Sequence, residues 1–171
     1  MGLDMYLYIR RNEYSSIHSP NKNVELEYTK FMKQHGPNLP TLVSVSVKTT
    51  YEVGYWRKAN AVHQWFIDNC APRDGTGYPV DDCRPMVVDL DQLELLLDTC
   101  KQIKDNHKLA PTLLPTQSGF FFGSTEYDEW YFDYIDKTIK IIEPVIEFMN
   151  NVTTGAHTSD EYYTIIYEAS W

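Results

Sequence analysis

The sequence predicts an α+β fold: a mixed, largely antiparallel sheet of about four to five strands with three main helices packed on it. Two patterns carry that expectation. The strand segments alternate apolar and polar residues, as in a sheet with one packed face and one wet face, rather than running apolar throughout. The chain also closes on a strand pattern, Glu161 to Trp171, whose natural neighbour is the first strand. A length of 171 residues suits a single domain, 1–171, with a sizeable core.

Gly2 to Arg11 places Leu3, Met5, Leu7 and Ile9 on one side and Asp4, Tyr6, Tyr8 and Arg10 on the other, a half-buried strand. Asp4 reads either as a solvated or Tyr-bonded carboxylate or as a pocket residue beside Tyr6. Asn12 to Asn23 is polar and turn-rich. Val24, Tyr28, Phe31 and Met32 then recur at helical spacing, and Gly36, Pro37 and Pro40 should end that surface helix. Thr41 to Val53 is rich in β-branched residues and reads as a strand burying Val43, Val45 and Val47, broken by Gly54.

Tyr55 to Phe66 concentrates two tryptophans, two cations, an amide and an imidazole and is expected to open a helix. On a wheel at ~100° per residue, Trp56, Ala59, Val62, His63, Phe66, Ile67 and Cys70 share an apolar arc, Asn60 borders it, and Arg57, Gln64 and Asp68 lie opposite. A loop over Ala71 to Asp82 and a short strand near Arg84 to Val88 follow. Asp89 with Gln92 then forms a capping-box pattern before the stripe Leu90, Leu93, Leu96, Leu97, Cys100 and Ile103, where Cys100 reads as packing rather than nucleophile. Phe120 to Phe122, bracketed by Gly119 and Gly123, reads as a buried strand leading into a helix capped by Ser124 or Thr125, with Asp128 reciprocating. That helix, to Asn150, should carry Tyr127, Trp130, Tyr131, Tyr134, Thr138, Ile141, Ile142 and Val145 on one stripe, with Pro144 kinking it or splitting off its last turns. Asn150 to Asp160 reads as a loop.

A net charge of -9, with no basic run longer than Arg10-Arg11 or Arg57-Lys58, argues against duplex nucleic acid and anionic membranes as partners. A small anion in a local basic pocket stays open, because short-range pairs outweigh a screened net charge. Three cysteines without C-x-x-C spacing predict neither a disulfide framework nor a zinc site, and fit a reducing compartment. No segment reads as a signal peptide, and none approaches the ~20 apolar residues of a membrane span. No metal or cofactor is expected. A homo-oligomer stays open.

The candidate ligand-binding residues are Asp4, Tyr6, Trp56, Arg57, Lys58, Asn60, His63, Thr116, Ser118, Gly123, Ser124, Thr125 and Tyr127. The cations and the amide suit an anion, the aromatics suit base stacking, and glycines permit close approach. If they form one site, the start of the Tyr55–Phe66 segment must meet the loop from Thr116 to Thr125. A helix N-terminus after Gly123 could hold an anion, although Glu126, Asp128 and Glu129 oppose it. His63 reads first as a satisfied core histidine and only second as a ligand donor or acid/base.

Met1 to Leu7, the Tyr55–Phe66 block, Leu114-Pro115-Thr116, Gly119 to Ser124 and Tyr127-Asp128-Glu129 together resemble a family of small uncharacterised proteins encoded by tailed bacteriophages and prophages. The resemblance spans most of the chain outside Asn12 to Pro40 and Asn150 to Asp160. It implies a phage accessory protein in the bacterial host cytoplasm and carries no activity with it. The expected function is sequestration of a small anionic, nucleotide-like ligand, such as a host-defence signal, without turnover. One alternative is an inhibitor that binds a host defence protein through an acidic, Tyr-rich surface. The other is a small hydrolase or transferase pairing His63 with Asp4 or Asp128, for which no nucleophile elbow or paired-carboxylate motif is present.

Overall fold

The computed structural model describes residues 2–16, 20–35, 44–154 and 161–171. Four strands form one antiparallel sheet: β1 (Asp4–Ser16), β2 (Ser44–Arg57), β3 (Met86–Val88) and β4 (Glu161–Ser170), in the order β2-β1-β4-β3. The helices are α1 (Lys22–His35), α2 (Asn60–Cys70), α3 (Leu90–Asp105), α4 (Ala110–Leu113), which follows a 3-10 turn at His107–Leu109, and α5 (Glu129–Thr154). The α+β fold with an antiparallel sheet is thus as the strand alternation predicts.

The first and last strands lie side by side at the centre. Leu3, just ahead of β1, and Met5, Leu7 and Ile9 on it are buried, and across the ladders Met5 faces Trp56 and Ala169, while Leu7 faces Gly54 and Tyr167. All of these side chains point to the face that α2, α3 and α5 cover. β1 runs to Ser16, five residues beyond the expected end at Arg11, because both neighbours go on pairing with it: β4 to Glu13 and β2 to Ser16. Backbone groups in a central strand are satisfied on both sides whatever the side chain, so polar Asn12 and Glu13 are carried into the interior; Ser15, beyond the end of β4, is buried where its hydroxyl accepts from Asn21 N at 2.8 Å.

The expected break at Gly54 is a correction. The strand continues through Tyr55, Trp56 and Arg57, which pair with Tyr6, Met5 and Asp4, and α2 starts only at Asn60. Trp56 therefore reaches the core by strand alternation, not as part of a helical arc, and Arg57 lies on the other face of the sheet. Register shifts by one residue between Leu7 and Tyr8, which leaves Val53 as a bulge. Gly54 is required by close packing: a Cβ there would lie 2.4 Å from Ile141 Cγ2 on α5. Val45 and Val47 are only half-buried, because they pair with Ser15 and Glu13 near the end of the sheet. Val43, the strand start at Thr41 and the expected helix-ending Gly36, Pro37 and Pro40 lie outside the described residues.

Phe120 to Phe122 is also not a strand. Phe122 N donates to Gly119 O at 3.1 Å, closing a turn, and the segment's tie to the sheet is Leu3 N donating to Phe121 O at 3.1 Å. Phe120 is 96% exposed. α5 begins at Glu129, with Asp128 rather than Ser124 or Thr125 as its cap: Asp128 Oδ1 accepts from Tyr131 N at 3.1 Å. Trp130 is displaced from the expected stripe and stands 68% exposed, while Tyr131, Ile135, Thr138, Ile142 and Val145 are buried. The helix continues past Pro144 to Thr154, so the expected loop begins later, and residues 155–160 lie outside the described set. Pro144 is tolerated there because it sits on the exposed side.

α3 carries the predicted Asp89–Gln92 capping box and buries Leu93, Leu96, Cys100 and Ile103. Its ion pairs Lys101–Glu143 and Lys104–Asp136, both 2.6 Å, bind it along α5. All three cysteines are free thiols, and burial pushes Cys70 and Cys100 up to about 12, which makes them packing residues rather than nucleophiles. Among the described residues no helix is long and apolar enough to cross a membrane.

Gly54→Ala should lower the unfolding free energy by about 1–3 kcal/mol through overpacking against α5. Adding Ile141→Ala should recover part of that loss, a coupling that urea unfolding of both single variants and the double variant would measure. Strict additivity of the two losses would contradict the contact.

Candidate functional site

The corner between β2 and α2 is built from two residues. Lys58 adopts a left-handed conformation, φ 59°, which is uncommon for a residue with a Cβ and occurs where tertiary contacts impose it. Here Lys58 N donates to Leu3 O at 2.8 Å, and Gly123 lies against its side chain, leaving 3.2 Å between Lys58 Cβ and any Cβ placed at Gly123. Gly123 itself has φ 91°, so glycine is needed there on both counts. Ala59 is the N-cap of α2. Its carbonyl accepts from His63 N at 3.0 Å, but it has no side-chain acceptor to offer, and the first turn contains no acid. The N–H groups of Asn60, Ala61 and Val62 therefore have no acceptor within the helix.

Asn60, 3% exposed, joins this corner to the loop that follows α4. Its Nδ2 donates to Phe122 O at 3.1 Å and to Ser124 O at 2.8 Å, and its Oδ1 accepts from Gln117 N at 3.0 Å. The loop is braced further by Thr116 Oγ1 donating to Thr125 O at 2.9 Å, and Tyr131 Oη donates to Leu114 O at 2.7 Å. The start of α2 and the Thr116–Thr125 loop thus meet, as a common site requires.

Between them lies a cavity of about 180 Å³. Lys58, the first turn of α2, Thr116, Gly123 and Ser124 line one part, and Glu126, Asp128, Trp130, Tyr131 and Tyr134 line the rest. The cavity is bipolar: a lysine and free helix N–H groups stand opposite two carboxylates. Burial pushes the Tyr134 hydroxyl above its ordinary value, Asp128 adds to that shift, and the Arg57 cation works against it. The helix start that the sequence offered for an anion, after Gly123, is occupied by Asp128. The open one belongs to α2.

Of the thirteen sequence candidates, Lys58, Asn60, Thr116, Gly123 and Ser124 line this cavity. Thr125 and Tyr127 brace it from behind, through Thr125 O and through Tyr127 Oη, which accepts from Thr116 N at 3.3 Å. Ser118 is an exposed loop residue outside the lining. Asp4, Tyr6 and Arg57 form a separate group on the helix-free face of the sheet, where Tyr55 Oη donates to Asp4 Oδ1 at 2.5 Å and Arg57 Nε lies 3.9 Å from the same oxygen. Trp56 is fully buried and donates its indole N–H to Thr138 Oγ1 at 2.9 Å.

His63 is fully buried, and both its nitrogens are engaged: Nδ1 lies 2.7 Å from Tyr167 Oη and Nε2 lies 3.3 Å from Asp81 Oδ2. This is the satisfied core histidine, and it joins β4 to the loop before β3. Neither Asp4 nor Asp128 is among its partners. Among the described residues no group of three His, Cys, Asp or Glu side chains could hold a metal ion.

Residues that sequence reasoning missed include Ala59, Ala61, Val62, Glu126, Trp130 and Tyr134. Extending the helix back to Tyr55 hid the N-cap at Ala59. The usable signal was the alternation of Tyr55 and Arg57 against Gly54 and Trp56, which continues the strand. None of the protein-family models, curated proteins or solved structures compared with this chain matches it.

Asn60→Ala should lower stability by about 2 kcal/mol, since two carbonyls and one N–H lose their partner together. Amide exchange at Gln117 and its neighbours should accelerate more than exchange in α3; uniform acceleration would contradict a local clamp. Burial also raises Tyr167 well above the ordinary tyrosine value, with the nearby Asp81 carboxylate adding to the effect. Its contribution to stability is therefore complete below ~10, the unfolded-state value, and is lost as pH rises from there toward the folded-state value. Tyr167→Phe should be about 1 kcal/mol less stable at pH 8 for loss of the His63 contact. Above pH 10 its stability should fall less steeply, by up to ~1.4 kcal/mol per pH unit for the missing proton. Denaturant unfolding at pH 8, 10 and 11 checks this, and parallel declines in the two proteins would refute it.

Proposed function

We propose that this protein is a non-catalytic module that binds a small anionic, nucleotide-like ligand in the cavity between α2 and the Thr116–Asp128 loop. On the phage resemblance, it acts as a phage accessory protein in the host cytoplasm, withdrawing a nucleotide signal used in host defence. The observation that carries this reading is the uncapped first turn of α2 opening into the cavity beside Lys58. An anion at such a turn gains typically ~0.3–1 kcal/mol from the helix dipole, and up to ~2 when partly buried, besides its hydrogen bonds.

The dimensions and charges narrow the ligand. About 180 Å³ falls short of the ~300–1,000 Å³ of a site that engulfs a whole small molecule. The cavity holds a phosphate-sized group, with a base lying outward against exposed Trp130, where stacking contributes ~1–3 kcal/mol. Glu126 and Asp128 repel a second or third phosphate but accept hydrogen bonds from amino, imino or hydroxyl groups. A monophosphate, linear or cyclic, suits this arrangement better than a triphosphate. Engagement of both His63 nitrogens, away from the cavity lining, supports binding without turnover.

The alternative of a protein-binding inhibitor is favoured by one observation. The sheet face without helices displays Tyr6 stacked on Tyr8 at 6.1 Å and tilted against Tyr55 at 5.3 Å, with the carboxylates of Asp4, Glu52 and Glu168 on the same face. The two readings separate by residue, since Lys58 serves the cavity and Tyr6 serves the face.

Calorimetry against nucleoside mono- and triphosphates and cyclic mononucleotides should give binding with at least one monophosphate, weaker with its triphosphate. Lys58→Glu should cost about tenfold and Trp130→Ala at least about fivefold, whereas Tyr6→Ala should cost nothing. No heat with any member of the panel would leave the cavity reading without support.

A further inference from the structure

A second cavity lies on the other side of the molecule's chemistry. It is a cleft of about 570 Å³ between the helix-covered face of the sheet and α5. That volume is within the range of sites that enclose a small molecule. It exists because β1 and β2 run on beyond the point where Gly54 lets Ile141 touch the sheet. Past that contact, the bulge residue Val53 and its neighbours Ile9 and Tyr51 face α5 without filling the gap. The walls are apolar: Ile9, Val53, Ile141, Val145 and Phe148. Tyr51 and Phe148 remain 47% and 38% exposed at its mouth, so apolar surface faces solvent there.

The charges at its rim differ in kind. Arg11 is neutralised twice, by Glu161 at 3.0 Å from its Nε and by Glu13 at 3.0 Å. The second contact is an ion pair whose geometry falls short of a hydrogen bond. Tyr163 Oη donates to the same Glu161 oxygen at 2.6 Å, which closes that end of the cleft. Lys140 is different. The acids nearest to it along α5, Asp136 and Glu143, are held by Lys104 and Lys101 of α3. Lys140 makes no ion pair among the described residues. In a chain of net charge -9, an unpaired cation at the mouth of an apolar cleft is a specific complement to one negative charge on an apolar body.

We propose that this cleft binds an amphipathic monocarboxylate of the fatty-acid class, with its chain between Val53 and Val145 and its carboxylate at Lys140. The site is separate from the nucleotide cavity and does not depend on that reading. Its energetics are set by the chain: each methylene buried contributes ~0.8 kcal/mol, or about fourfold in affinity. The exposed head-group pair contributes less, on the order of threefold.

The test is displacement of an environment-sensitive anilinonaphthalene sulfonate probe by octanoate, decanoate and decanol, using the full chain. Decanoate should bind saturably, about 15-fold more tightly than octanoate for two methylenes, and more tightly than decanol. Val53→Trp, which fills the cleft, should abolish binding, and Lys140→Glu should weaken decanoate but not decanol. If Val53→Trp fails to fold, Phe148→Glu at the exposed mouth should repel decanoate in the same way. The proposal is overturned by absence of saturable decanoate binding, by equal affinities for octanoate and decanoate, by decanol binding as tightly as decanoate, or by binding that survives both blocking variants.

Discussion

The side-chain amide of Asn60 is the interaction on which the cavity depends. It sits at the first turn of α2, almost wholly buried, and spends its donors and its acceptor on the backbone of a loop some sixty residues away. A buried amide must be satisfied, and a loop without ladder partners must find acceptors and donors elsewhere, so each solves the other's problem. The start of β1 reinforces the same junction. Leu3 donates to Phe121 on the loop and accepts from Lys58 at the corner, so the residue just ahead of the central strand positions both walls. The cavity is therefore fixed by backbone contacts that would persist without a ligand, and preorganisation of this kind reduces the ordering cost of binding.

The sheet was legible where the pattern was local. Period-two alternation in Leu3 to Ile9 and in Tyr163 to Tyr167, and the leucine stripe after Asp89, each name a buried face directly. What misled was residue composition standing in for pattern. Gly54 looks like a terminator but answers to Ile141, a contact that no local window contains. Three phenylalanines look like a core strand, yet Gly119 and Gly123 turn that segment so tightly that Phe120 projects into solvent. The candidate site was legible as two stretches that should meet, but the chemistry at their meeting was not. That chemistry turns on where α2 starts, and element boundaries are the least determined feature of a sequence pattern.

Charge shows the same separation of local from global. A chain of net charge -9 nevertheless has two lysines that line cavities and make no ion pair among the described residues, Lys58 and Lys140. Arg11, Lys30, Arg84, Lys101 and Lys104 each have an acid within ion-pair distance, and these pairs tie elements together or solvate the surface. Such exposed pairs contribute little to stability. Their larger consequence is subtraction: by occupying the acids of the α3–α5 seam, Lys101 and Lys104 leave Lys140 with no ion pair among the described residues.

The Tyr167–His63–Asp81 chain, buried at Tyr167 and His63, shows why residue type alone is a poor guide to catalysis here. A general base needs a free nitrogen within reach of the proton it takes. His63 has none: the phenol occupies one nitrogen, the carboxylate faces the other, and Phe122 and Trp171 pack edge-on against the ring. Tyr167, itself stacked on Phe66 at 4.0 Å, has no exposed surface. The same three residue types placed in a cleft would suggest proton transfer. Placed here, they fix the loop before β3 against β4, with surface Asp81 and buried Tyr167 giving partners to an imidazole inside an apolar core, where an unpaired member would be costly. The start of α2 differs from this buried cluster: its first-turn N–H groups have no side-chain cap and open into the cavity.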